Sequence, residues 1–298
     1  MKKFHSIFCV ALVAVLALVS CNKEKAFAVS EVEALEEILF SVDEGAGTRA
    51  SEVTTSTLSS MNVTATTGSN SETAVTNFSN VTFSKQNNVW KGGKYWPSTN
   101  PSYHFYASNA TLTHTSSGNT VSPQNANTDI VVGYLASPTY KSQNSLTLNH
   151  IFAQIGTVTV NAPSGCTVSN LKISVQPKTS GTYNLKSNSW TSRGNAGSAT
   201  YLVGNANSGA SITTAGGSTN GGDKDLWLVP DTYTLTASYN LSIGDYTSST
   251  ITKTSSVSLT QGANNNITAT LPTDDNVSEI TFTVTVTAWG TENKNVNF

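Results

Sequence analysis

The sequence predicts an all-β protein built from β-sandwiches, and three observations carry that prediction. Ser, Thr and Asn together make up 114 of the 298 residues. With Val, Tyr and Phe they favour strands and turns. Charged residues are 11 %, against about 25 % in an average soluble domain. That excludes a long amphipathic helical protein, which needs Glu, Lys, Leu and Ala in bulk. Near the end of the chain, Ile280, Phe282, Val284 and Val286 alternate with Thr281, Thr283, Thr285 and Thr287, the pattern of a half-buried strand. The length fits two domains at about 100–200 residues each, and 37 % hydrophobic residues are enough to fill one or two sandwich cores.

The N-terminus reads as an export signal. Lys2 and Lys3 precede an apolar run over residues 7–19. That run is shorter than the roughly 20 residues a bilayer span needs, and it fits the apolar core of a signal peptide. Leu18-Val19-Ser20-Cys21 resembles a bacterial lipobox, cut before Cys21, whose thiol then carries the lipid. Each buried CH₂ contributes about 0.8 kcal/mol, so several acyl chains, palmitate among them, anchor firmly without a transmembrane helix. With Cys9 removed and Cys21 lipidated, Cys166 stands alone, which leaves no disulfide within the mature chain.

A charged leader follows. Residues 22–49 hold three basic and seven acidic residues, a net charge of −4, whereas residues 50–298 hold 11 of each. The leader predicts a short helix over residues 30–37, with Ser30 as N-cap and Glu33 three residues on. It then alternates, placing Ile38, Phe40 and Val42 on one face of a strand. Gly45-Ala46-Gly47-Thr48-Arg49-Ala50 comes next as a flexible connector holding one of only two arginines. Its G-x-G-x-x-A spacing imitates a dinucleotide-binding turn. The polar, β-branched residues 51–57 that follow cannot supply the helix such a site requires, so that reading is rejected.

The body reads as strands and turns. Strands are expected at 57–66, 81–84, 89–91, 103–107 and 130–135, with 115–127 as a loop. A second block holds strands at 145–149, 152–162, 168–176, 182–186, 200–203, 226–229, 233–241, 250–259 and 267–271, before the alternating strand from Ile280. The expected organisation is a signal peptide at 1–20, an acidic leader with its strand at 21–49, one sandwich domain at 50–142 and a second at 143–298.

Residues suited to chemistry are sparse. His104, His114 and His150 lack zinc-site spacing, and there is no G-x-S-x-G nucleophile elbow. Asp223-Lys224-Asp225 and Asp274-Asp275 read as exposed turns, and Cys166 as a small buried residue. No metal and no cofactor is expected, and no enzyme activity. A net charge of −2 with two arginines excludes binding to nucleic acid by phosphate neutralisation. Trp90, Trp96, Trp190, Trp227 and Trp289 are expected mainly in cores. Their number, with the Thr- and Asn-rich loops, leaves a surface glycan-binding lipoprotein as a second reading.

Taken in order, these pieces resemble the fimbrillin family, subunits of type V pili of Gram-negative anaerobes. The pieces are the lipobox, the acidic leader, Thr48-Arg49-Ala50, Val89-Trp90, Tyr95-Trp96-Pro97 and Tyr103-His104-Phe105-Tyr106-Ala107. Asp129-Ile130-Val131-Val132, Leu148-Asn149-His150-Ile151-Phe152-Ala153, Leu228-Val229-Pro230 and the segment from Val284 to Trp289 continue the series. The resemblance implies two transthyretin-like β-sandwich domains and export as a lipoprotein to the outer membrane. It also implies cleavage by an Arg-specific surface protease, which by position maps onto Arg49-Ala50. Cleavage would release the strand of Ile38, Phe40 and Val42, and a strand from the next subunit would replace it. The candidate donor carries Ile280, Phe282, Val284, Val286, Val296 and Phe298. The implied partners are other pilus subunits and a host or glycan receptor.

Overall fold

The computed structural model describes residues 35–44, 53–54, 56–68, 71–125, 128–272 and 280–288. Among them there are strands and turns and no helix, hence no helix long and apolar enough to cross a membrane. The first half holds β1 (Glu37–Glu44), β2 (Ser60–Thr67), β3 (Thr73–Ala74), β4 (Val81–Gln86), β5 (Val89–Tyr95), β6 (Tyr103–Ser108), β7 (Thr113–Thr115), β8 (Gly118–Val121), β9 (Val131–Leu135) and β10 (Asn144–His150). The second half holds β11 (Ala153–Asn161), β12 (Thr167–Val175), β13 (Gly181–Asn184), β14 (Ser189–Arg193), β15 (Thr200–Val203), β16 (Ala210–Ile212), β17 (Ser218–Leu228), β18 (Thr232–Ile243), β19 (Tyr246–Thr247), β20 (Ile251–Ser258), β21 (Ala263–Thr270) and β22 (Thr281–Ala288).

Eight strands of the first half form one sheet in the order β3-β2-β4-β5-β1-β10-β9-β6. β6 also pairs with β2, from Asn62 opposite Ser108 to Thr67 opposite Tyr103. That pairing closes the sheet into a barrel, and closure removes the exposed edges that invite aggregation. The barrel interior is aromatic, with Phe40, Phe78, Phe83, Trp96, Tyr103 and Phe105 in one cluster.

The second half is a sandwich. One sheet runs β17-β11-β21-β22; the other runs β15-β12-β18, with β20 on the free side of β18. β18 shows why: along Thr232–Ile243 burial alternates almost perfectly, so Tyr233, Leu235, Ala237, Tyr239 and Leu241 enter the core while Thr and Ser face water. A third cluster, including Ile151, Phe152, Tyr183, Trp190 and Trp227, contains residues of both halves, with β7, β8, β13 and β14 forming a small sheet beside it. β10 pairs within the barrel, so the chain passes from barrel to sandwich at Ile151 and Phe152, a few residues after the position where the second domain was expected to begin.

Four expectations are corrected. Glu37 begins β1 rather than ending a helix; residues 30–34 lie outside the described part. The expected loop at 115–127 contains β8, all four residues of which are buried. Its polar sequence shows no alternation, and it is held by β7 on one side and by β13, far along the chain, on the other. Residues 223–225 lie inside β17, paired with β11, not in a turn. Val286 is exposed rather than core-facing: it stands opposite the polar Asn265, whereas Val284, which does pack on the core, stands opposite Ile267.

Candidate functional site

The feature that distinguishes this barrel is the seat of β1. Ile38 and Phe40 are completely buried, and Val42 packs against the same cluster. The Phe40 ring lies 5.3 Å from Phe83 and 5.0 Å, edge-on, from Phe105, geometries that aromatic pairs favour. Burying such side chains contributes about 1.5–3 kcal/mol each.

Both edges of β1 are bonded. It is antiparallel to β5, with Glu37 opposite Tyr95 and Phe40 opposite Trp90. It is parallel to β10, from Phe40 opposite Asn144 to Glu44 opposite Leu148, the one parallel pair in this sheet. Beyond the ladder, Trp96 N–H donates to the Glu36 carbonyl at 2.8 Å. Gly93 N–H donates to Glu37 Oε1 at 3.2 Å, and Ser145 Oγ donates to Asp43 Oδ2. Neither neighbour is joined to β1 by a tight turn, so the seat is formed by tertiary contacts alone.

The chain downstream of the connector is fixed by a buried pair. Val53 N–H donates to Asp129 Oδ2 at 3.0 Å, and the same oxygen lies 2.8 Å from His150 Nδ1, with both side chains buried. His150 ends β10 and Asp129 precedes β9, so this pair holds the two strands and residue 53 together.

A second polar cluster joins the barrel to the small sheet, through Lys186 between β13 and β14. The Glu72 carboxylate, wholly buried, accepts from Thr66 Oγ1, Tyr106 Oη and Lys186 Nζ, each at 2.6 Å. Burial pushes the Glu72 pKa up, but the hydrogen bonds from Lys186, Thr66 and Tyr106 outweigh it and hold the carboxyl below its ordinary value. The same bond raises the pKa of Lys186. Burial, then the bond to Glu72, drives the Tyr106 hydroxyl far above its usual range. Sequence reading missed Glu72; the available signal was a lone acid in a long stretch of neutral residues.

The sequence-derived residues fall as follows. Ile38, Phe40 and Val42 share one face of β1 and one core. Ile280 is buried in the sandwich and Val284 packs against that core. Cys21, Arg49, Ala50, Val296, Phe298 and Trp289, and the side chain of Phe282, lie outside the described residues. Cys166 is buried. Trp90, Trp96, Trp190 and Trp227 are all buried, so none offers a ring to a sugar. Among the described residues no group of three or more His, Cys, Asp or Glu could hold a metal ion.

Comparison with known proteins bears on this arrangement. A family model described as fimbrillin-like matches residues 48–289, a span that begins just after β1. The fold is similar to that of a fimbrial protein from Bacteroides vulgatus, at 15 % identity and a TM-score of 0.59, covering 85 % of this chain and 99 % of that one. It is also similar to a candidate cell adhesion protein from Bacteroides ovatus, at 14 % identity and a TM-score of 0.50, covering 87 % and 100 %. No curated protein matches the sequence.

Proposed function

The chain belongs to the fimbrillin-like family, and from that premise we propose that it is a structural, non-enzymatic subunit of a cell-surface pilus that supports adhesion and assembles by exchange of one β-strand. The observation that carries the reading is the seat of β1. A strand bonded on both edges fills the barrel core with Ile38 and Phe40, yet its covalent link to the rest of the body is the connector holding Arg49. Cutting after Arg49 leaves β1 held by non-covalent contacts alone. Its departure exposes an apolar groove between β5 and β10 and two unpaired edges, a template for another strand. The candidate replacement is the C-terminal segment of a second copy; its strand β22 is bonded to β21 in its own sandwich, so donation from Ile280 onward requires that pairing to open. Donor and groove are different surfaces, so the contact is head-to-tail and propagates as a filament.

In this reading the subunit travels as a lipoprotein. Acyl chains on Cys21 hold the precursor in the outer membrane, with the two domains described above, until an Arg-specific surface protease cuts between Arg49 and Ala50.

The test is proteolytic. Purified precursor treated with an Arg-specific protease and run unboiled on a denaturing gel is expected to give a ladder of oligomers, each beginning at Ala50. Arg49→Ala is expected to remain monomeric. Persistent wild-type monomer after complete loss of residues 22–49 would overturn the proposal.

A further inference from the structure

A cleft of about 200 Å³ opens where the outer wall of the barrel meets the small sheet. One side of it is built by β9 and β10. Val131, Leu146 and Leu148 belong to the barrel core, so Val132, Thr147 and Asn149, their neighbours in the strands, point outward. Tyr134 lies on the same outer face as Val132. The turn between β13 and β14 builds the other side, with Leu185, Lys186 and Asn188.

The cleft is held from behind. Lys186 Nζ donates to Glu72 Oε1 at 2.6 Å, which ties the turn to the barrel. Asn188 Oδ1 accepts from Tyr183 Oη at 2.6 Å, and that hydroxyl accepts from Gln261 Nε2 at 2.8 Å. The side-chain carbonyl of Asn188 is thereby engaged, and its NH₂ group remains as a donor. Tyr106 and His104 stack on Tyr134 at centroid separations of 4.7 and 6.1 Å. Both come from β6, on the side of β9 away from β10, so the β10 side of the Tyr134 ring borders the cleft. Groups held in place before a ligand arrives lose little freedom on binding it.

The chemistry of the walls selects the ligand. Val132, Leu185 and the Tyr134 ring offer an apolar surface. Thr147, Asn149 and Asn188, all exposed, offer a hydroxyl and two amides that both donate and accept. The Lys186 charge is offset by Glu72, and among the described residues no other charged side chain lines the cleft. A pyranose matches this combination: it has an apolar C–H face, a rim of hydroxyls that donate and accept, and no charge. The volume is below the roughly 300–1,000 Å³ of pockets that enclose drug-sized ligands, room for one sugar unit and not for a chain. We infer that this cleft binds a terminal neutral monosaccharide of a glycan, its C–H face toward Tyr134 and its hydroxyls toward Thr147, Asn149 and Asn188. The inference gives the adhesive role proposed above a ligand class and a place on the barrel.

The test uses the uncut full chain, which keeps its outcome separate from that of strand exchange. Saturation-transfer NMR is run with the methyl glycosides of galactose, mannose, fucose and N-acetylglucosamine, and with that of N-acetylneuraminic acid as the anionic counterpart. At least one neutral glycoside is expected to bind with a dissociation constant of about 1–10 mM, the strength of a ligand of about a dozen non-hydrogen atoms. Asn149→Trp fills the cleft from an exposed position and is expected to abolish the signal. Asn188→Ala is expected to weaken binding about three- to tenfold. Thr252→Trp, exposed on β20, is expected to change nothing. Thermal midpoints report whether each variant folds, and Asn188→Ala decides should Asn149→Trp unfold the chain. Absence of transfer to every neutral glycoside, preference for the anionic one, or undiminished binding in a folded Asn149→Trp or Asn188→Ala overturns the assignment and leaves strand exchange standing.

Discussion

Replacing Phe40 by Ala removes a fully buried ring that packs against Phe83 and Phe105 at 5.3 and 5.0 Å. Large-to-small changes of this kind cost about 3–5 kcal/mol, the transfer term plus the cavity left behind. That is a large share of the roughly 5–15 kcal/mol that stabilises a typical domain. Leu39, on the opposite face and only half-buried, is the internal control, and Leu39→Ala should cost less than about 1.5 kcal/mol. Urea unfolding of the uncut precursor checks the difference. The same substitution should speed release of the cut leader by roughly two to three powers of ten, followed by size exclusion after proteolysis. A cost below about 1 kcal/mol for Phe40→Ala, or equal costs for the two variants, would refute the argument that β1 is an integral stave of the barrel.

Other consequences follow from the polar contacts and the arginines. Glu72→Gln takes the charge from a buried group accepting three hydrogen bonds, and thermal or urea unfolding should show a loss of about 1–3 kcal/mol; an unchanged midpoint would contradict the assigned network. Because folding lowers the Glu72 pKa, its contribution is fully present above the unfolded value of about 4.3 and is lost as the pH falls through the lower folded value. Urea midpoints at pH 7 and pH 3 should therefore converge between wild type and Glu72→Gln at the acid end. Arg193 is paired with Gly181 in β14 and donates from Nε to the Pro230 carbonyl at 3.1 Å. Folded Arg49→Ala should therefore survive an Arg-specific protease intact, while the urea-unfolded chain is cut at 193; mass spectrometry of the digests separates the two outcomes.

What could be read from the sequence were the features a strand writes locally. The alternation of Ile38, Phe40 and Val42, and of Tyr233 through Leu241, follows from the two faces of a pleated strand, so a few consecutive residues suffice to record it. The scarcity of charge and the abundance of Thr, Ser and Asn likewise announced many water-facing strand surfaces. β8 escaped because its residues are buried by partners rather than by their own apolarity, and Glu72 because only Tyr106 and Lys186, far along the chain, make a buried carboxylate tolerable.

The amino-acid order by itself determined that the chain is all-β and, in strands such as β1 and β18, which residues face a core. Only the tertiary structure decided that β1 sits between β5 and β10, where the Ser41 hydroxyl reaches a carbonyl 103 residues away. Side-chain alternation selects a strand's face, but its neighbours are chosen by the closure of a whole barrel, a property that no short stretch of chain contains.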